Sequence, residues 1–318
     1  MENTLFSATE LPMRGGRVYH LDLLPEELAA NVIVVGDPGR VPFLAGELLD
    51  HVEVDRSHRG FRTITGHAIE TRQRVTITTS GIGVSSMEIV LNELVALNEF
   101  DFSSRRRKAS WEPLSVVRVG TSGGLQPETD LGTLIVTDYG IGLDNTGLFY
   151  DVGIPDEECR LLERRVRTAI DEGVFENARF RGRFFPYAVR ADSRMRVALE
   201  REALHLGVSC KRGITVTSPG FFIEQGRAIV RLVPTASDLV ERLAAVDTGI
   251  AGLKIENMEM EASILLHILG AIGYRSGVIC AVIDKKNEGS FRTDYQECMR
   301  DGGRIALRAF LALQPARH

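Results

Sequence analysis

Two arginines stand where an arginine needs a reason. Arg118 interrupts the apolar run Ser115 to Val119, which leads into Gly120-Thr121-Ser122-Gly123-Gly124. A guanidinium buried in a strand is costly unless an anion meets it, and the end of a strand in an open α/β sheet is where ligands bind. Arg40 closes the turn Gly36-Asp37-Pro38-Gly39-Arg40 after the apolar pair Val34-Val35. Such a turn exposes backbone N–H groups at a helix start, and its glycines let an anion approach; Asp-Pro-Gly is also a good plain β-turn. Further along, Phe221-Phe222-Ile223-Glu224-Gln225-Gly226-Arg227 combines an amide with a donor-only guanidinium. Together Gln225 and Arg227 can read a ring edge that alternates carbonyl and N–H groups, as uracil does, although the stretch by itself is an ordinary polar loop.

Two acidic stretches complete the set. Glu259-Met260-Glu261-Ala262-Ser263 opens an apolar run that reads as a helix. Acids in a first turn suit the helix dipole, while carboxylates also accept from vicinal sugar hydroxyls and methionine packs softly on a ring. Asp284, in Ile283-Asp284-Lys285-Lys286, falls at a strand end, where it reads either as a general acid or as the ion-pair partner of a neighbouring lysine. Thr79-Ser80-Gly81-Ile82-Gly83-Val84-Ser85-Ser86 invites a dinucleotide-binding reading that fails where Ser86 replaces the third glycine. A tight strand-to-helix turn is the better reading.

These residues need a scaffold that brings distant strand ends together. Val32 to Val35, Arg74 to Thr79, Ser115 to Val119, Thr133 to Thr137, Gly213 to Thr217 and Ser276 to Ile283 read as buried strands. Helical spacing runs through Val84 to Asn98, Asp156 to Glu172, Asp192 to Leu206, Thr235 to Val246, Met260 to Ile272 and Thr293 towards Leu313. The alternation predicts an α/β fold with a buried central sheet flanked by helices. No Pro-, Ser- or Gly-rich linker divides the chain, so residues 1–318 are expected to form a single domain. Within Phe100 to Pro113 the basic run Arg105 to Lys108 breaks the rhythm, and residues 101–113 read as a solvated surface insertion.

Composition narrows the function. A net charge of -5 with dispersed Lys and Arg leaves no broad basic face for nucleic acid. Met1 to His20 carries no apolar signal-peptide core, and no run nears the roughly 18 apolar residues of a membrane span, so the cytoplasm is the expected compartment. Cys159, Cys210, Cys280 and Cys298 lie far apart without a CxxC pair, which argues against disulfides and a zinc site.

The series GDPGR, SHRGF, TSGIGVSSMEIVLNEL, RVGTSGGLQP, FFIEQGR and MEMEAS resembles the nucleoside phosphorylase and nucleosidase superfamily, with Gln225-Gly226-Arg227 similar to its uridine phosphorylase branch. The resemblance implies a single-domain, three-layer α/β/α sandwich around a central mixed β-sheet. It implies a phosphate site of Gly36, Arg40, Arg118 and Thr121, completed by Arg59 of a neighbouring subunit. His20, also from the neighbour, would reach the ribose 5′-hydroxyl, and Met260 and Glu261 would hold the rest of the ribose. Gln225 and Arg227 would read the base and Phe221 would stack on it. Arg118, Thr121, Gln225 and Arg227 would carry the catalysis. The implied reaction is cofactor-free phosphorolysis of uridine, or of deoxyuridine or thymidine, to uracil and the sugar 1-phosphate. A homodimer would be the smallest active unit, with a homohexamer as the larger assembly that the resemblance implies.

The match departs at three positions. Asp284 stands where the hexameric purine enzymes of the superfamily place a catalytic aspartate, which keeps open a purine nucleoside phosphorylase using Asp284 as acid. Lys286 replaces an arginine common in the pyrimidine branch. Gly60 replaces a glutamate that binds a monovalent cation in some members, so no metal is expected. A nucleoside-binding protein without turnover is the alternative from another class.

Overall fold

The structure, a computed structural model, describes residues 5–286 and 288–314. Eleven strands join in one mixed sheet: β1 (Asn31–Val35), β2 (Leu49–His58), β3 (Phe61–Ala68), β4 (Arg74–Thr79), β5 (Ser115–Gly124), β6 (Leu134–Gly142), β7 (Tyr187–Arg190), β8 (Cys210–Thr217), β9 (Ile255–Glu259), β10 (Arg275–Lys285) and β11 (Ser290–Phe291). Their order is β11-β10-β6-β8-β9-β5-β1-β4-β3-β2, with β7 beside β6. Strand β10 also pairs in parallel with β5 along its length, so β10, β6, β8, β9 and β5 close into a ring. The expected central mixed sheet is present, and this closure is a feature that the strand pattern did not announce.

The helices α1 (Arg40–Leu48), α2 (Val84–Glu99), α3 (Glu157–Gly173), α4 (Ser193–His205), α5 (Leu239–Ala244), α6 (Ala262–Ala271) and α7 (Gln296–Ala312) cover the sheet. Alternating residues of β1 serve opposite faces: Ile33 and Val35 pack in a cluster with α1, α4 and α7, while Val32 and Val34 pack in one with α2 and α6. Both faces are therefore dry, which is why β1 is apolar throughout. Strand β5 repeats the pattern, with Val117 and Val119 towards the first cluster and Val116 towards the second. Asp156 and Asp192 cap α3 and α4 by accepting from the amides three residues on, Cys159 and Met195.

Several expectations need correction. The helix expected over Thr235 to Val246 shrinks to Leu239–Ala244, because the Thr235 carbonyl accepts from the Phe175 amide and Asp238 adopts a left-handed φ of 48°. Glu259 closes strand β9, and α6 starts at Ala262, so Glu259, Met260 and Glu261 do not form a first helical turn. The antiparallel hairpin β2–β3 was not anticipated, since β2 is mostly exposed and polar. The basic insertion is not simply solvated. Arg107 pairs with buried Glu99, Arg105 donates to the carbonyls of Phe6 and Leu11 at 2.8 and 2.7 Å, and Lys108 donates to the Asn98 carbonyl at 2.9 Å. These contacts fasten the N-terminal segment to the end of α2.

Candidate active site

The loops at the C-terminal ends of β1, β8 and β9, the strand β5 from Arg118 to Gly123 and the end of β10 converge on a cavity of about 190 Å³. Gly36, Arg40, Arg118, Thr121, Phe221, Gln225, Arg227, Met260, Glu261 and Asp284 all line it. Strand ends of an α/β sheet are where backbone and side chains can reach a ligand without breaking the ladder.

Arg118 is the centre of the deep end. It is 4% exposed, donating through Nε to Glu259 Oε2 at 3.0 Å and through Nη2 to Glu261 Oε2. Burial opposes its charge, but Glu261 and Glu259 overcome that and push its pKa further above the ordinary arginine value. Its Nη1 is buried with no hydrogen-bond partner among the described residues and faces Gly36, 3.9 Å from where a Cβ there would sit. A buried donor of this kind calls for an acceptor from a ligand. Gly120 has to be glycine, because a Cβ would come within 3.0 Å of the folded-back guanidinium. Arg40 reaches in from the start of α1, its Nη2 3.4 Å from Thr121 Oγ1 and 3.2 Å from the Tyr295 hydroxyl, and its Nε is likewise buried without a partner among the described residues. The two arginines, Thr121 and the Gly36 turn thus bring together donors of the kind that an oxyanion accepts from.

Glu259 was not among the residues singled out for the site, yet it organises the deep end. Its carboxylate accepts from Thr217 Oγ1 at 2.6 Å, from the Glu261 amide at 2.8 Å and from the Ala262 amide at 2.9 Å, besides Arg118. Read as a first helical turn, Glu259 and Glu261 diverge; as a strand end and the loop beyond it, both converge on Arg118. Glu261 also accepts from the Gly83 amide at 2.6 Å. Burial raises its pKa, Arg118 offsets this only in part, and nearby Glu259 adds to the rise.

The outer end is a preassembled polar network. Gln225 Nε2 donates to Ser218 Oγ at 2.8 Å and the Gly220 carbonyl at 3.2 Å, while its Oε1 accepts from Arg227 Nη1 at 2.8 Å and Lys286 Nζ at 3.2 Å. Arg227 stacks over the Phe221 ring at 4.0 Å and donates to Asp284 Oδ2 at 2.6 Å. Lys286 donates to the same oxygen at 2.8 Å. Asp284 is thus an acceptor between two cations. Burial lowers the Lys286 pKa despite Asp284, and Arg227 adds to that fall.

Arg59 and His20 do not line this cavity. Arg59, at φ 50°, occupies the β2–β3 turn and its guanidinium lies over Tyr19, 5.2 Å from the ring centroid. His20 packs edge-on against the same tyrosine at 5.0 Å. The two residues share one surface apart from the cleft of their own chain.

The family comparison agrees with this geometry. Residues 31–312 match the Phosphorylase superfamily. A uridine phosphorylase of Thermococcus kodakarensis is 28% identical over 289 residues, 90% of this chain and 84% of that protein. The uridine phosphorylase of Escherichia coli K12 is 27% identical over 276 residues, 85% of this chain and 87% of its own. Among solved structures, a Trypanosoma brucei nucleoside phosphorylase described as showing uridine phosphorylase activity superposes with a TM-score of 0.85 at 27% identity, covering 95% of this chain and 99% of that one. With the arginine–threonine cluster, the carboxylate pair and the amide–guanidinium network all inside the matched region and around one cavity, the chain belongs to the phosphorylase superfamily.

Proposed function

We propose that this chain is a uridine phosphorylase, a pentosyltransferase that cleaves uridine with inorganic phosphate to give uracil and ribose 1-phosphate. The observation that carries the reading is the buried Nη1 of Arg118 in the cleft, a donor with no acceptor among the described residues, which a phosphate oxygen would meet. Arg40, Thr121 and the Gly36 amide would hold the other phosphate oxygens. Glu261 and Met260 would seat the ribose, with Glu259 keeping Arg118 and Glu261 in register.

Phosphate attacks C1′ while the glycosidic bond stretches, and the bonding pair leaves on the base. Positioning and charge stabilisation do the chemistry. Arg227, Gln225 and Lys286 would offset the negative charge that develops on the departing uracil, with Phe221 against its face. Asp284 accepts from Arg227 and Lys286, an arrangement that suits an anchor for the base-reading cations better than a donor acid for a purine.

Arg59 and His20 would enter the cleft of a second copy, which makes a homodimer the smallest complete unit, within a homohexamer if the dimers associate further. Four cysteines without a disulfide suit a cytoplasmic setting.

The test is turnover of uridine, thymidine, inosine and adenosine, each with and without phosphate, followed by chromatography of the base. Phosphate-dependent release of uracil supports the reading; release of hypoxanthine or adenine in preference overturns it, as does release without phosphate. Gln225→Ala should impair uridine cleavage at least tenfold more than any inosine cleavage, the order expected for losing a base hydrogen-bond partner.

A further inference from the structure

Glu93, on α2 and outside the cleft, directs both of its oxygens at one short segment. Its Oε1 accepts from the His20 amide at 2.7 Å and faces His20 Nδ1 at 2.8 Å; its Oε2 accepts from the Leu21 amide at 2.7 Å. A carboxylate only accepts, so Nδ1 carries a proton, and in the neutral ring Nε2 is the free acceptor. Tyr19 at 5.0 Å and Phe61 at 6.1 Å meet the imidazole edge-on and restrict its rotation. The side chain of His20 is 24% exposed and that of Glu93 is 12% exposed, so the ring keeps access to the surface beside a largely covered partner. A histidine needed only for packing has no use for a carboxylate that fixes its backbone, its ring and its tautomer together.

We propose that Glu93 is a positioning residue of the ribose subsite: it orients His20 so that Nε2 meets the 5′-hydroxyl of a nucleoside bound in a second copy of this chain. The inference rests on the reading that His20 serves the ribose, and it adds the residue that makes His20 selective. Carboxylate–histidine pairing of this kind sets both ring orientation and the basicity of the outer nitrogen.

The experiment compares kcat and KM for uridine and 5′-deoxyuridine in the wild-type protein and in the Glu93→Ala, Glu93→Gln and His20→Ala variants. Glu93→Ala should lower the preference for uridine by about tenfold, the worth of one hydrogen bond to a well-held group, with the change in the KM for uridine. Glu93→Gln, which keeps an acceptor oxygen, should lower it less. Parallel losses on both substrates in Glu93→Ala would mean a structural role and overturn the proposal. So would an unchanged preference in Glu93→Ala when His20→Ala loses it. An unchanged preference in His20→Ala removes His20 from the ribose subsite and overturns that placement together with the role of Glu93.

Discussion

Arg118 spends Nε and Nη2 on two carboxylates and keeps Nη1 without a partner among the described residues, and this asymmetry determines how it can be tested. Arg118→Ala would leave Glu259 and Glu261 buried without their cation, a loss of about 3–5 kcal/mol that confuses catalysis with folding. Arg118→Lys keeps the charge but loses the fork that spans Glu259, Glu261 and the anion. We expect it to lower kcat/KM with phosphate by a hundredfold or more while the protein stays folded by circular dichroism; near-normal turnover would remove Arg118 from the phosphate site. Glu261 gives a second prediction at this scale. Its raised pKa means that it takes up a proton above the usual carboxylate range, and the protonated acid is a poorer acceptor for ribose hydroxyls. The KM for uridine should therefore rise on acidification before ordinary carboxylates titrate, and Glu261→Gln should abolish that limb of the profile. Ten of the twelve residues named from the sequence line one cavity, because each stood at a strand end or in a glycine-rich turn where the chemistry was visible locally. Glu259 escaped because its role depends on whether Glu259-Met260-Glu261 is helix or strand end, and apolar spacing downstream does not decide that.

At the scale of elements, the glycine turn before α2 links the fold to the site. Gly83 adopts φ 90° and ψ 160°, a conformation closed to residues with a Cβ, and its amide donates to Glu261. Gly83→Ala is expected to destabilise the protein by about 1–3 kcal/mol through backbone strain and to raise the KM for uridine by releasing Glu261. Thermal melts and steady-state kinetics check the two effects, and a variant with unchanged melting and KM would refute the coupling. The turn reading of TSGIGVSS was accessible from sequence because glycine declares such geometry. The β2–β3 hairpin was not, since its register is set by partners at β4 and its outer strand has no apolar face to reveal it. The shortened α5 was hidden for a similar reason: a carbonyl bond from Phe175 to Thr235, distant in sequence, overrides local helical spacing.

At the scale of the whole molecule, the question is how Arg59 and His20 come to serve a cleft that neither of them lines. Both lie on one surface around Tyr19, joined to the chain's own core through Glu93 and the β2–β3 turn. If that surface completes a neighbour's cleft in a twofold dimer, each site takes Arg118 from one chain and Arg59 from the other. Arg59→Ala and Arg118→Lys homodimers would then both be impaired. A mixed dimer would hold one site with neither substitution and one with both. Random reassortment makes half of the dimers mixed, so mixing equal amounts after reversible dissociation should restore roughly a quarter of the wild-type sites. The measurement is phosphate-dependent uracil release before and after mixing, with co-expression of the two tagged variants as the route if the subunits do not exchange. Recovery to that level requires an interface active site, because a site contained in one chain would be impaired in every combination. No recovery in co-purified mixed dimers would return Arg59 to a purely local role beside Tyr19.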